Sequence, residues 1–382
     1  MDTGNYHESN IKTLVSDFLN KKINYDYPEE NLSNHLQKKE LIENIKYTFI
    51  EYTKRYKEIP DSLIIIRWFY TQKLFDTTGI DALLPYNNDL NEGLRYEMDK
   101  YNTPIDEIIE LSNILKNIIS RYRPIVNEDI LLKSYFKDGN YFYFLKREPI
   151  IHKFILDDSS YNKLKDLYVP EDNKFEIRLL ALLCRYHSLS APGYHAGIPL
   201  ELFSLLRSKL KVNHEIFASP FNCNLELNSY SSAYPDTDKF FGSKGNFFGI
   251  YKELFKNGGS FEANPPFLEE HMTALTFIIL TELKKNKNPL SFVVVYPSWT
   301  DAMSYTLLLE SEYNVLLDKV LIFDKYKHHY TQSSQYWHKL GVDKNSGSGS
   351  SIFILQNSSG KQKYGVTNEI IVDIIDKFTN KR

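Results

Sequence analysis

Cysteine is almost missing from this chain: Cys184 and Cys223 are the only two in 382 residues, and they stand in no metal-type spacing. A disulfide framework is therefore excluded, and a reducing compartment, nuclear or cytoplasmic, is expected. No apolar leader core opens the sequence and no run reaches transmembrane length, so neither secretion nor insertion into a membrane is expected. The chain also lacks a charge of one sign. A formal net charge of -3 argues against broad, sequence-blind binding along duplex nucleic acid and leaves room for a local grip by a few Arg and Lys side chains. His328, His329 and His338 cluster in sequence without Cys or a helical His-Glu pattern, so no metal is expected.

Aromatic residues are abundant instead, with Tyr 28 and Phe 24. The length favours two domains. Up to about residue 210 the apolar spacing predicts helices. Leu41, Ile45, Phe49, Tyr52 and Tyr56 step by three and four, as do Ile108, Leu111, Leu115, Ile118 and Tyr122. Further helices are expected around 62–74, 175–186 and 199–210, with Thr103 and Asn127 as capping residues. Arg67-Trp68-Phe69-Tyr70, followed by Gln72 and Lys73, puts cations beside aromatics and makes Arg67 a candidate substrate contact; a helix face with snorkelling cations is the plainer reading. Lys146-Arg147 after Tyr141-Phe142-Tyr143-Phe144 invites the same two readings. The loop 187–197 is expected to hinge the halves.

From about Val212 short apolar strands take over. His214–Ala218 ends in Ser219-Pro220-Phe221-Asn222, whose small residues would let a cofactor approach the backbone. The turn-rich, acidic region Ser231–Asp238 with Phe240–Ser243 offers Asp236 and Asp238 for a ribose hydroxyl or an ammonium; an ordinary surface loop is the alternative. The run 291–296 reads as a strand buried on both faces and ends in Pro297-Ser298-Trp299, where the indole could stack a base. Strands are expected at 319–323 and 351–355, a flexible or even engineered Ser/Gly linker at 346–351, and a last helix at 368–378.

The most informative stretch is Gly259–Phe267, an apolar strand running into Asn264-Pro265-Pro266-Phe267, with Leu268, Met272, Leu275, Ile279 and Leu283 at helical spacing beyond it. Prolines fix φ and donate nothing, so the carboxamide of Asn264 and the peptide carbonyl beside it face one point. Two acceptors suit an exocyclic amine: they pull its nitrogen toward a tetrahedral geometry and stabilise the positive charge that develops as it attacks a sulfonium methyl. Phe267 is placed to stack the heterocycle. The bland alternative is a strand-ending turn in which Asn264 caps the following helix.

Several blocks in order, Cys184–Leu189, Phe217–Cys223, Ser232–Asp238, Phe241–Ser243, Gly259–Phe267, Pro289–Phe292, Pro297–Trp299 and Leu355–Asn357, resemble the phosphorylated-CTD-interacting-factor family of cap-specific adenosine N(6)-methyltransferases. The resemblance covers roughly 180–357. It implies an α/β, Rossmann-like class I methyltransferase sheet at 191–382 behind an all-α helical domain at 1–190 that helps bind the cap. It further implies S-adenosylmethionine as cofactor and the capped mRNA 5′ end as partner, the methyl going to the first transcribed adenosine. Asn264, Pro265, Pro266 and Phe267 would be the catalytic turn; Ser219, Pro220, Asn222, Asp236 and Asp238, with Asn264, would hold the cofactor; Glu269, Trp299 and Ser298 would contact the substrate, to which Arg67 is added on its sequence context alone, since the resemblance does not reach it. The WW domain of animal members has no counterpart pattern here. Methylation of internal adenines in DNA or structured RNA, and a non-catalytic cap-binding or scaffold subunit, are the competing readings.

Overall fold

The computed structural model describes residues 27–56, 63–75, 78–86, 103–126, 130–189, 196–315, 320–332 and 342–380, together with positions 15, 16, 25, 94, 95 and 98. The side chains of Gln332 and 342–344, and the expected contributions of Asn127, His338 and 190–195, lie outside that description.

The first half begins with α1 (Leu32–Thr53), α2 (Leu63–Phe75) and α3 (Ile105–Ser120). Asn31 caps α1 by accepting from the Asn34 N–H, and α3 starts after Pro104, with no side-chain cap from Thr103. The expectation that this half is all-α is corrected at 131–157. There β1 (Leu131–Lys137), β2 (Asn140–Arg147) and β3 (Ile150–Asp157) form an antiparallel meander. Asp138 and Gly139 both take positive φ, 49° and 75°, which is the twist a two-residue hairpin needs. One face of the meander buries Tyr143, Leu145, Phe154 and Leu156 against α4 (Asp158–Leu167) and α5 (Phe175–Ser188). The same core cluster continues into Phe221, Tyr234, Phe241 and Leu268, so the packing runs without a break from the helices into the second half.

After β4 (Ala196–Gly197) and α6 (Leu200–Leu210) comes β5 (His214–Ala218), then β6 (Ser229–Ser232), the short α7 (Pro235–Asp238) and α8 (Phe247–Phe255). The strand β7 (Gly259–Ala263) leads into α9 (Glu269–Lys285), β8 (Leu290–Pro297) and α10 (Met303–Leu309). The chain closes with β9 (Leu321–Phe323), β10 (His329–Gln332), β11 (Val342–Asn345), β12 (Ser350–Gln356) and α11 (Asn368–Thr379).

Six strands make one sheet in the order β6-β5-β7-β8-β12-β9. Neighbours from β6 to β8 are parallel, whereas β12 lies antiparallel to both β8 and β9. This mixed sheet with helices on both faces is the expected α/β, class I methyltransferase arrangement. Every residue of β8 and β12 is buried, which explains their unbroken apolar runs. Gly258 and Gly259 enter β7 at φ 77° and 154°, and a Cβ on Gly258 would meet the Pro289 carbonyl oxygen at 2.4 Å, so only glycine makes that turn.

The Ser/Gly stretch at 346–351 is not a slack linker. Ser346 N–H donates to the His328 carbonyl at 2.9 Å, and the fully buried Ser350 hydroxyl meets His328 Nε2 and the Tyr330 hydroxyl at 2.8 Å each. No group of metal-type ligands occurs among the described residues, and no described helix is long and apolar enough to cross a membrane.

Candidate active site

The direction of the chain across the sheet reverses at β5: it passes to β6 on one side and to β7 on the other. Such a switch point leaves a crevice beyond the carboxyl ends of the two strands. A cavity of about 110 Å³ occupies it, reached by Ser219 and Asn222 after β5, Asn264 and Pro266 after β7, and His271 on α9. Its far wall comes from the first half, including Phe69, Tyr70 and Lys73 of α2. Thus the aromatic and cationic helix singled out by sequence does reach the site, but Arg67 is not among the residues that line it.

The loop after β5 is fixed from both sides. Asn222 Oδ1 accepts from the Ser219 N–H at 2.6 Å and from its hydroxyl at 2.9 Å, while Lys163 of α4 donates to the carbonyls of Phe221 and Cys223 at 2.9 and 2.7 Å. Pro220 supports this turn without lining the cavity.

At Asn264 the carboxamide is oriented by a single bond: Nδ2 donates to the Ala196 carbonyl in β4 at 2.9 Å. With the nitrogen committed, Oδ1 is left as a buried acceptor that has no hydrogen-bond partner. A native chain rarely leaves such an atom unsatisfied without a reason in ligand binding or chemistry. The capping alternative is excluded, because the N-cap of α9 is Leu268 and no side chain caps it. The carbonyl of Pro266 accepts from the Leu268 N–H at 2.7 Å, which tightens the turn and occupies that oxygen.

Other expected contacts turn out to be engaged elsewhere. Phe267 does not line the cavity; its half-buried ring meets Tyr330 edge-on, centroids 6.3 Å apart. Glu269 accepts from the Ser304 N–H and hydroxyl at 2.9 and 2.7 Å and from the Thr273 hydroxyl at 3.0 Å, so both carboxylate oxygens serve to start α10 rather than to read a guanine. Burial nevertheless pushes its carboxyl above the ordinary range. The Ser298 hydroxyl pairs with that of Ser351 at 2.8 Å, and Trp299 stands 42% exposed outside the cavity.

Asp236 and Asp238 are corrected most clearly. Arg185 of α5 forks onto Asp236 at 2.8 and 2.6 Å, all of it buried. The Tyr186 hydroxyl donates to Asp238 at 2.6 Å and Thr237 does so at 2.8 Å. Neither acid lines the cavity. They brace α7 against α5, which joins the sequence blocks 184–189 and 232–238 physically. Asp236 is held low against its burial by Arg185, whereas burial outweighs the donors at Asp238 and pushes its carboxyl up to about 7.

Three features escaped the sequence reading. The Ala196 carbonyl is a main-chain group and carries no residue signal. His271, pushed down to about 3 by burial, is a neutral imidazole on the cavity wall with its Nδ1 unpartnered. Glu215 and Glu262 are register neighbours on β5 and β7, both buried, and both oxygens of Glu262 lack partners. Burial pushes Glu215 up to about 7, and burial together with the neighbouring Glu215 pushes Glu262 well above the ordinary carboxylate range. An acid at the centre of two apolar strands was visible at both positions.

A family model described as "Phosphorylated CTD interacting factor 1 WW domain" matches residues 158–333, a stretch whose one tryptophan is Trp299. Two curated relatives, from Mus musculus and Homo sapiens, carry the name "mRNA (2'-O-methyladenosine-N(6)-)-methyltransferase". Each is 30% identical over 239 residues, which is 61% of this chain and 31% of the relative, so the chain spans about a third of the length of the relatives it matches. The family-model match takes in β5 to β10 with the Asn264 turn and the α5–α7 brace, and over that stretch the chain is similar to the phosphorylated-CTD-interacting-factor family.

Proposed function

We propose that this chain is an S-adenosylmethionine-dependent mRNA (adenosine-N(6))-methyltransferase acting on the first transcribed adenosine beside a 7-methylguanosine cap. The observation that carries this reading is the unpartnered, buried Oδ1 of Asn264, a residue on the wall of the switch-point cavity. The names of the two relatives support the same reaction class.

The donor set fits the cofactor: Ser219 and Asn222 present the small, polar turn at the end of β5, and the cavity walls are largely aromatic and apolar. When bound there, S-adenosylmethionine supplies a methyl group on a sulfonium. Asn264 and Pro266 of the turn line the cavity, while Pro265 and Phe267 do not. The Oδ1 of Asn264 accepts one N–H of the adenine amine, and the main-chain carbonyl stiffened by Pro265 takes the other. Both acceptors favour a tetrahedral nitrogen and stabilise the charge it acquires, and the carboxamide is aimed before the substrate arrives by its bond to Ala196. His271 stays neutral near physiological pH and adds no opposing charge to the cavity wall.

The test is transfer of a tritiated methyl group to short RNAs that begin with capped A, capped G or uncapped A. Labelling confined to capped A is expected. Equal labelling of capped A and capped G, or labelling of uncapped RNA alone, overturns the cap-adenosine reading.

A further inference from the structure

The meander β1–β3 buries one face and leaves the other open. On the open face the register sets Lys133, Phe144 and Lys153 side by side in one row across the strands, and Tyr135, Phe142 and Ile155 in the next. Strand β1 is exposed along its whole length, Tyr135 to 50%. The rings form one surface: Tyr135 stacks on Phe142 at 4.8 Å and on Phe144 at 5.9 Å, and Lys153 Nζ sits 5.6 and 5.9 Å from the centroids of those two phenylalanines.

Charge on this face is one-sided. Lys137 and Lys146 add to Lys133 and Lys153, near the turn acids Asp138 and Glu148. The one acid in the face's own register positions is Asp157, whose carboxylate is spent capping α4 through the Ser160 N–H and hydroxyl at 2.9 and 2.6 Å. Aromatic rings ringed by lysines on an open antiparallel sheet suit unpaired bases, which stack on the rings while the phosphates meet the ammonium groups. Lysines on an edge strand such as β1 also work against pairing with a second copy or a peptide.

We infer that the open face of β1–β3 binds single-stranded RNA, namely the transcript downstream of the methylated nucleotide, through Tyr135, Phe142 and Phe144 with Lys133 and Lys153. The inference rests on the proposed activity for the identity of the strand, and it places a second RNA contact on an element whose buried side packs on α5, the helix whose Tyr186 lines the cavity.

Binding of a fluorescein-labelled, uncapped, uridine-rich 12-nucleotide RNA to the full chain, followed by anisotropy, tests the face without catalysis. Tyr135→Ala is expected to weaken binding on the order of tenfold. Lys133→Gln with Lys153→Gln is expected to weaken it similarly and to flatten the salt dependence by about 0.7 in log–log slope for each phosphate that is no longer neutralised. In methyl transfer, the same variants are expected to raise KM for a capped 20-mer and leave that for a capped dinucleotide unchanged. Unaltered RNA affinity in variants with wild-type melting temperatures overturns the inference, as does a concentration-dependent dimer that Tyr135→Lys dissolves. A chain that binds the 12-mer through this face but methylates no capped RNA leaves the inference standing and removes the proposed activity instead.

Discussion

Two polar segments of the second half, Asn264–Phe267 and Pro235–Asp238, stand out equally in the sequence and differ completely in the fold. In α7 the chain supplies every partner: Arg185 for Asp236, Tyr186 and Thr237 for Asp238. At Asn264 it supplies one, the Ala196 carbonyl for Nδ2, and withholds the other. A polar group whose needs are met internally holds the structure together, and one whose orientation is fixed while an acceptor stays unmet is ready for a ligand. The distinction lies in satisfaction, not in residue type.

That contrast can be broken in order of expected effect. Removing one member of the buried pair by Asp236→Ala strands the Arg185 guanidinium, and a loss of about 3–5 kcal/mol in unfolding free energy is expected from denaturant melts. Equal stability of variant and wild type would make the brace an active-site group after all. Asn264→Ala is expected to do the reverse, cutting methyl transfer about a hundredfold or more while the melt changes little, as when one preorganised transition-state partner is deleted. Near-normal turnover in that variant would remove the turn from the chemistry.

The smallest effect concerns Asp238, whose carboxyl is pushed up to about 7 by burial. Below the unfolded value both states hold the proton; between there and about 7 the folded state keeps a proton that the unfolded chain has released. Stability from this group is therefore full in acid and lost as pH rises toward 7, by at most about 1.4 kcal/mol per pH unit. Asp238→Asn, which imitates the neutral acid, is expected to flatten the fall in melting temperature between pH 5 and pH 7. An unchanged slope would mean that Asp238 is ionised in the fold.

Much of the second half was legible because its signals are local. The apolar runs at 291–296 and 351–355 became β8 and β12, and glycine pair, strand, double proline and helical spacing gave β7, its turn and α9 in place. The meander was missed because Tyr141 to Leu145 is apolar or aromatic at every position, which hides the period of two that Tyr143 and Leu145 inside and Phe142 and Phe144 outside in fact follow. The Asp138-Gly139 pair was the available cue. At the site, sequence found Ser219, Asn222, Asn264 and Pro266 on the cavity wall. It misplaced Asp236, Asp238 and Glu269, since an acid's partner tens of residues away leaves no local trace.

The strut between Asn264 and Ala196 has a consequence of its own. Its oxygen belongs to the polypeptide backbone, so no exchange of side chain at position 196 deletes it, and point substitutions there would leave the acceptor aimed as before. Lengthening or shortening the chain ahead of Ala196 is expected to let the carboxamide swing, slowing the proposed methyl transfer from sixty-eight residues upstream without altering one atom of the pocket's side chains.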